Sequence, residues 1–83
     1  DDLCAAGAII NRLRSLCSNL ELTDIALICE HLYKSFKSGT FDLRKTFHCA
    51  RLISLGFERD VDDCLSEDST DCVPVYANGI ITK

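Results

Sequence analysis

The residues with most chemical potential in this chain are its thiols. Six cysteines, Cys4, Cys17, Cys29, Cys49, Cys64 and Cys72, are spread over 83 residues. An even count without a CxxC pair points to three disulfides rather than to redox or zinc chemistry. Tetrahedral zinc sites usually draw ligands from pairs two to four residues apart. Only Cys29 with His31 and the adjacent His48 and Cys49 approach that pattern, and neither makes half of a familiar site. No metal or cofactor is expected. His31, His48 and Lys45 contain the groups of a ribonuclease-like acid–base set, but their spacing does not bring them together. A disulfide-rich chain this small is more often a binder than an enzyme, so the sequence is read as non-enzymatic.

The acids are concentrated late in the chain. Glu58, Asp60, Asp62, Asp63, Glu67, Asp68 and Asp71 fall in one stretch, which reads first as a solvated loop. As a calcium loop counted from Asp60 it lacks the glycine at the sixth position and the glutamate at the twelfth. A net charge of −4 argues against nucleic acid as a partner. No apolar run approaches the ~20 residues of a membrane-spanning helix, so membrane insertion is not expected. The start at Asp1–Asp2 reads as that of a mature secreted chain.

Three helices must carry these residues. The first spans roughly residues 3–16, with Ala6, Ile9, Ile10, Leu13 and Leu16 forming an apolar face at helical spacing, and Asp1 and Asp2 at its start. The second spans roughly 24–37, with Thr23 as N-cap, Gly39 just beyond its end, and Ile25, Ile28, Cys29, Leu32 and Phe36 on its apolar side. The third spans roughly 41–55, capped by Thr40 and closed by Gly56, and a short fourth turn lies around 61–65. Short loops predict antiparallel neighbours. Asn78–Gly79 between β-prone runs predicts a type I′ hairpin. The expected architecture is all-α: a disulfide-stapled bundle of three to four short helices over residues 1–72, with a small C-terminal β-hairpin or extended tail over 73–83. The hairpin either folds back as a lid, burying Val75, Tyr76 and Ile80, or projects as a binding element.

Fifteen disulfide connectivities are possible. A second-and-third-helix hairpin closed at Ser38–Gly39 would place Cys29 and Cys49 at one level. Cys17 would then meet Cys64, and Cys4 would be left for Cys72. The stretch ICEHLYKSFKSGTFDLRKTFHCARLISLGFERDVDDC also resembles the cysteine-rich helical region of stanniocalcins. Those proteins too have an Ile-Cys opening a helix, a Tyr and Lys before Phe-Asp, and a Lys-x-Phe in the next helix. The resemblance covers about half the chain. It implies a secreted helical regulator with the pairing Cys4–Cys29, Cys17–Cys64 and Cys49–Cys72.

The reading that follows is a small secreted, extracellular effector, hormone-, pheromone- or venom-like, that binds a protein target or receptor. A homodimer is compatible with the charge imbalance. The recognition residues would be Tyr76, Asn78, Ile80 and Ile81 on the hairpin, with Tyr33 and Phe57 as helical anchors, because aromatic residues are enriched at binding hot spots. The alternative is a carrier of a hydrophobic ligand or lipid, its cavity lined by Ile9, Leu13, Ile28, Leu32, Phe36, Phe47 and Ile53.

Overall fold

The computed structural model describes residues 2–83; Asp1, expected beside the first helix, lies outside them. Four α-helices and a hairpin form in chain order: α1 (Asp2–Leu16), α2 (Asp24–Ser38), α3 (Phe47–Ser54), α4 (Glu58–Leu65), β1 (Val75–Ala77) and β2 (Ile80–Thr82).

Local chemistry accounts for most boundaries. Thr23 is extended, and its hydroxyl accepts from the Ala26 N–H, starting α2. Gly39 ends α2 with φ of 81°, its N–H donating to Phe36 O while Thr40 N–H reaches back to Ser35 O. Gly56 closes α3 in the same manner, with Phe57 N–H on Leu52 O. The expected third helix is broken. Asp42 caps a single 3₁₀ turn over Leu43–Lys45, and Thr46 is extended, its hydroxyl donating to Leu43 O at 2.7 Å. Such side-chain bonds to the backbone compete with helix continuation. Thr40, the expected cap, instead donates to Ser35 O. Asn78 and Gly79, with φ of 54° and 77°, supply the I′ turn, pairing Val75 with Thr82, Tyr76 with Ile81 and Ala77 with Ile80.

Two helical pairs result, α1 against α2 and α3 against α4. The first is close at Gly7, whose missing Cβ leaves room for the Cys29 carbonyl and Tyr33 Cβ. Leu43 and Val61, each 4% exposed, anchor the second region together with Cys49. Arg44 pairs with Asp62, linking the 3₁₀ turn to α4.

The disulfide-stapled bundle is not what forms. No two cysteines lie at disulfide distance, and all six are free thiols. Both expected pairing schemes fail. The first needed α2 and α3 to close as a hairpin, and the break at Thr46 redirects α3 onto α4 instead. Cys4, Cys29 and Cys49 are buried as small apolar side chains, whereas Cys17, Cys64 and Cys72 face solvent. Burial pushes the Cys4 thiol above its ordinary value, and the Glu67 carboxylate adds to the shift. Without disulfides, the cysteines no longer point to secretion. Labelling with a maleimide under native conditions should modify Cys17, Cys64 and Cys72 quickly. Unfolding in urea without reductant should bring the mass increment to six labels; fewer than six would restore a disulfide.

Candidate functional site

α1, α2 and the end of α4 enclose a cleft of about 330 Å³. Cys4 and Ala8 form one wall, Tyr33 and Phe36 another, and Leu65 and Glu67 a third. The polar edge of this cleft is a small network. Tyr33 and Lys37 lie one helical turn apart on α2, so both point the same way. The Tyr33 hydroxyl donates to Glu67 Oε1 at 2.8 Å, and Lys37 Nζ donates to Glu67 Oε2 at 2.6 Å. Asp68 follows in the left-handed region, φ 54°, which turns the chain away just after the contact.

This network clamps the segment after α4 onto α2. It is poorly suited to acid–base catalysis. The bond from Lys37, then that from Tyr33, holds the Glu67 carboxyl below its ordinary value. Glu67 in turn raises both Tyr33 and Lys37. A carboxylate so stabilised is a weak base. Its effect on stability has a definite sign. The folded Glu67 value lies below the unfolded one, so its stabilisation is complete above the ordinary value of 4.5 and is lost as pH falls through the depressed one. Tyr33 and Lys37 contribute the opposite dependence: their share is complete below 10.0 and 10.5 and is lost as pH rises through the raised values. The network is largely exposed, so the effect is small. Urea midpoints followed from neutral into acid pH should fall less in Glu67→Gln than in the parent; identical slopes would remove the clamp.

A second cleft, of about 310 Å³, lies between α3 and α4, lined by Cys49, Leu52, Phe57, Asp60, Val61 and Cys64. It is apolar apart from Asp60 and the thiols. Cys64 borders both clefts. Among the described residues no group of three or more His, Cys, Asp and Glu side chains could hold a metal ion. No described helix is long and apolar enough to cross a membrane.

The residues singled out from sequence are scattered. Tyr76, Ile80 and Ile81 are 70%, 63% and 71% exposed on the hairpin, Asn78 is exposed at its turn, and no hairpin residue is buried. Phe57 is half-exposed at the mouth of the second cleft. Tyr33 is occupied by Glu67. His31, His48 and Lys45 are exposed and, among the described residues, make no side-chain hydrogen bond or ion pair. The expected carrier cavity does not form as one lining: Ile9 and Phe36 border the first cleft, whereas Phe47 and Ile28 are 83% and 59% exposed. Gly7, Glu30 and the specific role of Glu67 went unrecognised. Their partners lie 22, 16 and 30 to 34 residues away or on another helix, and no local pattern announces them.

Comparison with known proteins gives these helices a context. The family model for 2-phosphosulpholactate phosphatase matches residues 1–79. A probable 2-phosphosulfolactate phosphatase of Caldanaerobacter subterraneus subsp. tengcongensis is 38% identical over 82 residues, covering 98% of this chain and 34% of that protein. The Clostridium beijerinckii protein of the same name is 38% identical over 82 residues, with 99% and 34% coverage. That of Thermotoga maritima is 37% identical over 81 residues, with 96% and 34% coverage. No solved structure matches significantly. The chain belongs to the 2-phosphosulpholactate phosphatase family. It spans about a third of the length of these relatives.

The family overturns the stanniocalcin resemblance, which rested on short Ile-Cys, Phe-Asp and Lys-x-Phe matches and on cysteine order over about half the chain. Amphipathic helices converge on such patterns because burial selects residue class rather than identity. It also overturns the non-enzymatic effector and the carrier, with their hormone- and toxin-like character, because the relatives are named as enzymes. The case against catalysis rested on small size and disulfides. Size is no argument in a family whose members named as phosphatases are about three times as long, and the disulfides are absent.

Proposed function

We propose that this chain serves as the helical third of an enzyme that hydrolyses 2-phosphosulfolactate. The observation that carries the reading is the family match over residues 1–79, with relatives of that name near 38% identity. In such a reaction water attacks phosphorus, the P–O ester bond breaks, and the alcohol oxygen leaves with a proton. The substrate carries a phosphate, a sulfonate and a carboxylate, so its site must be rich in positive charge. Among the described residues, Arg12, Lys45, Arg51, Arg59 and Lys83 are the Lys and Arg side chains outside ion pairs. They are the cations this chain has available for such a substrate.

The test is a chimera. The matched 82-residue segment of the Caldanaerobacter relative is replaced by this chain, and phosphate release from 2-phosphosulfolactate is measured. Turnover within about tenfold of the unmodified relative is the expected result. A folded chimera inert toward 2-phosphosulfolactate overturns the proposal. Activity on other phosphate esters alone would overturn the substrate.

A further inference from the structure

α1 buries only part of its apolar face. It meets α2 along Cys4 and Gly7, with Arg14 reaching Glu30 on the same side. At 3.6 residues per turn, Leu13 and Leu16 fall roughly on the opposite side of the helix, with Ile9 at the edge where it also borders the first cleft, while Ala6 and Ile10 of the same apolar set are half-buried. Ile9, Leu13 and Leu16 are 62%, 42% and 69% exposed. On α2, Ile25 and Ile28 form a second stripe beside the contact, 64% and 59% exposed. Among the described residues α2 is the extensive helical partner of α1, and a helix that turns much of its apolar face away from such a partner is half of a layer.

The dimensions agree. The accessible surface is 6886 Å², whereas a compact monomer of 9.2 kDa exposes about 4,900 Å². The radius of gyration is 15.1 Å against about 12 Å for a compact chain of this length. The surplus of about 2,000 Å² is what one partner contributes to a large obligate interface. The relatives are about three times as long as this chain, so their fold contains enough further polypeptide to cover it.

We infer that the stripe Ile9, Leu13 and Leu16 on α1, continued by Ile25 and Ile28 on α2, is the surface by which this chain is sealed against the other two-thirds of a family-length phosphatase. The occupant is that polypeptide, and the contact is apolar, permanent and formed on folding. α1 is then a central layer, held by α2 through Gly7 on one side and by the rest of the enzyme on the other. The inference rests on the phosphatase reading, but it concerns assembly rather than turnover.

Hydroxyl-radical footprinting of the chimera separates the two. Side-chain oxidation at Ile9, Leu13 and Leu16 is compared in the folded protein and in the same protein unfolded in urea. The expected result is protection of about tenfold or more at all three, unchanged across a hundredfold range of protein concentration. A folded chimera in which these side chains oxidise nearly as fast as when unfolded overturns the inference. Protection that grows with concentration, together with dimers in sedimentation, assigns the face to a second copy and overturns it equally. Loss of phosphatase activity with protection intact defeats only the functional reading.

Discussion

Gly7→Ala is expected to lower stability by roughly 2–3 kcal/mol, at the upper end of what overpacking usually costs. At an exposed helical position the same change would raise stability by about 1 kcal/mol, because alanine favours the helix. The sign reverses here because of what the new methyl would meet. An ideal Cβ on Gly7 would fall 2.7 Å from the Cys29 carbonyl carbon and 2.8 Å from Tyr33 Cβ, and closer still to the Cys29 oxygen. A side-chain tip can rotate away, but a backbone carbonyl in mid-helix cannot. The helices must separate, and the Arg14–Glu30 contact loosens with them. Urea unfolding of the chimera gives the energy, and amide exchange in α1 and α2 gives the location. Gly39→Ala is the informative control. Nothing lies within 4 Å of its Cβ, but its φ is 81°, so it isolates backbone strain at about 1 kcal/mol. A Gly7→Ala protein as stable as the parent would mean that α1 and α2 do not meet at this glycine.

The second large effect concerns Glu30. Its side chain is 7% exposed, and its Oε2 lies 3.0 Å from Arg14 Nε and 4.0 Å from Lys34 Nζ. The approach from Arg14 is close enough for a hydrogen bond but poorly aligned, and Oε2 has no hydrogen-bond partner. Glu30 therefore depends on charge proximity rather than on directional bonds. Removing Arg14 leaves a buried carboxylate with one distant lysine. Fully buried pairs lose about 3–5 kcal/mol on such a change. Arg14 is 46% exposed and water can enter, so about 2 kcal/mol is expected for Arg14→Ala. Glu30→Leu removes the charge that must be satisfied and should be neutral or stabilising by about 1 kcal/mol. The order of the two urea midpoints decides the matter. If Glu30→Leu is the worse variant, the ion pair is a net contributor and the account of a frustrated carboxylate is wrong.

Some of this could be read from the residues alone. Thr23 as a cap, Gly39 and Gly56 as helix stops and Asn78–Gly79 as a hairpin turn are set by interactions within a few residues. Those energies do not depend on the rest of the fold, so the sequence carries them openly. The third helix was misjudged because Asp42 and Thr46 each offer the backbone a hydrogen bond outside the helix, and propensity does not say which alternative will be taken. The cysteines were misjudged for another reason. A count of thiols and an even number cannot distinguish buried apolar side chains from disulfide partners without distances between elements. The clamp at Glu67 was hidden because an acidic residue in an acidic run gives no sign that Tyr33 and Lys37 will reach it from 34 and 30 positions away.

By itself, the sequence determined where α2 begins and ends, where α3 stops and where the hairpin reverses, and its amphipathic spacing marked the apolar faces. Only the tertiary structure decided which face each helix gives to which neighbour. α1 offers α2 its small residues, Cys4 and Gly7, and turns Ile9, Leu13 and Leu16 outward. Apolar periodicity specifies that a face leaves water; it contains nothing about the partner that removes it. That partner is set by shape at close range, here a backbone carbonyl fitting against a glycine, and such complementarity exists only once two elements have met.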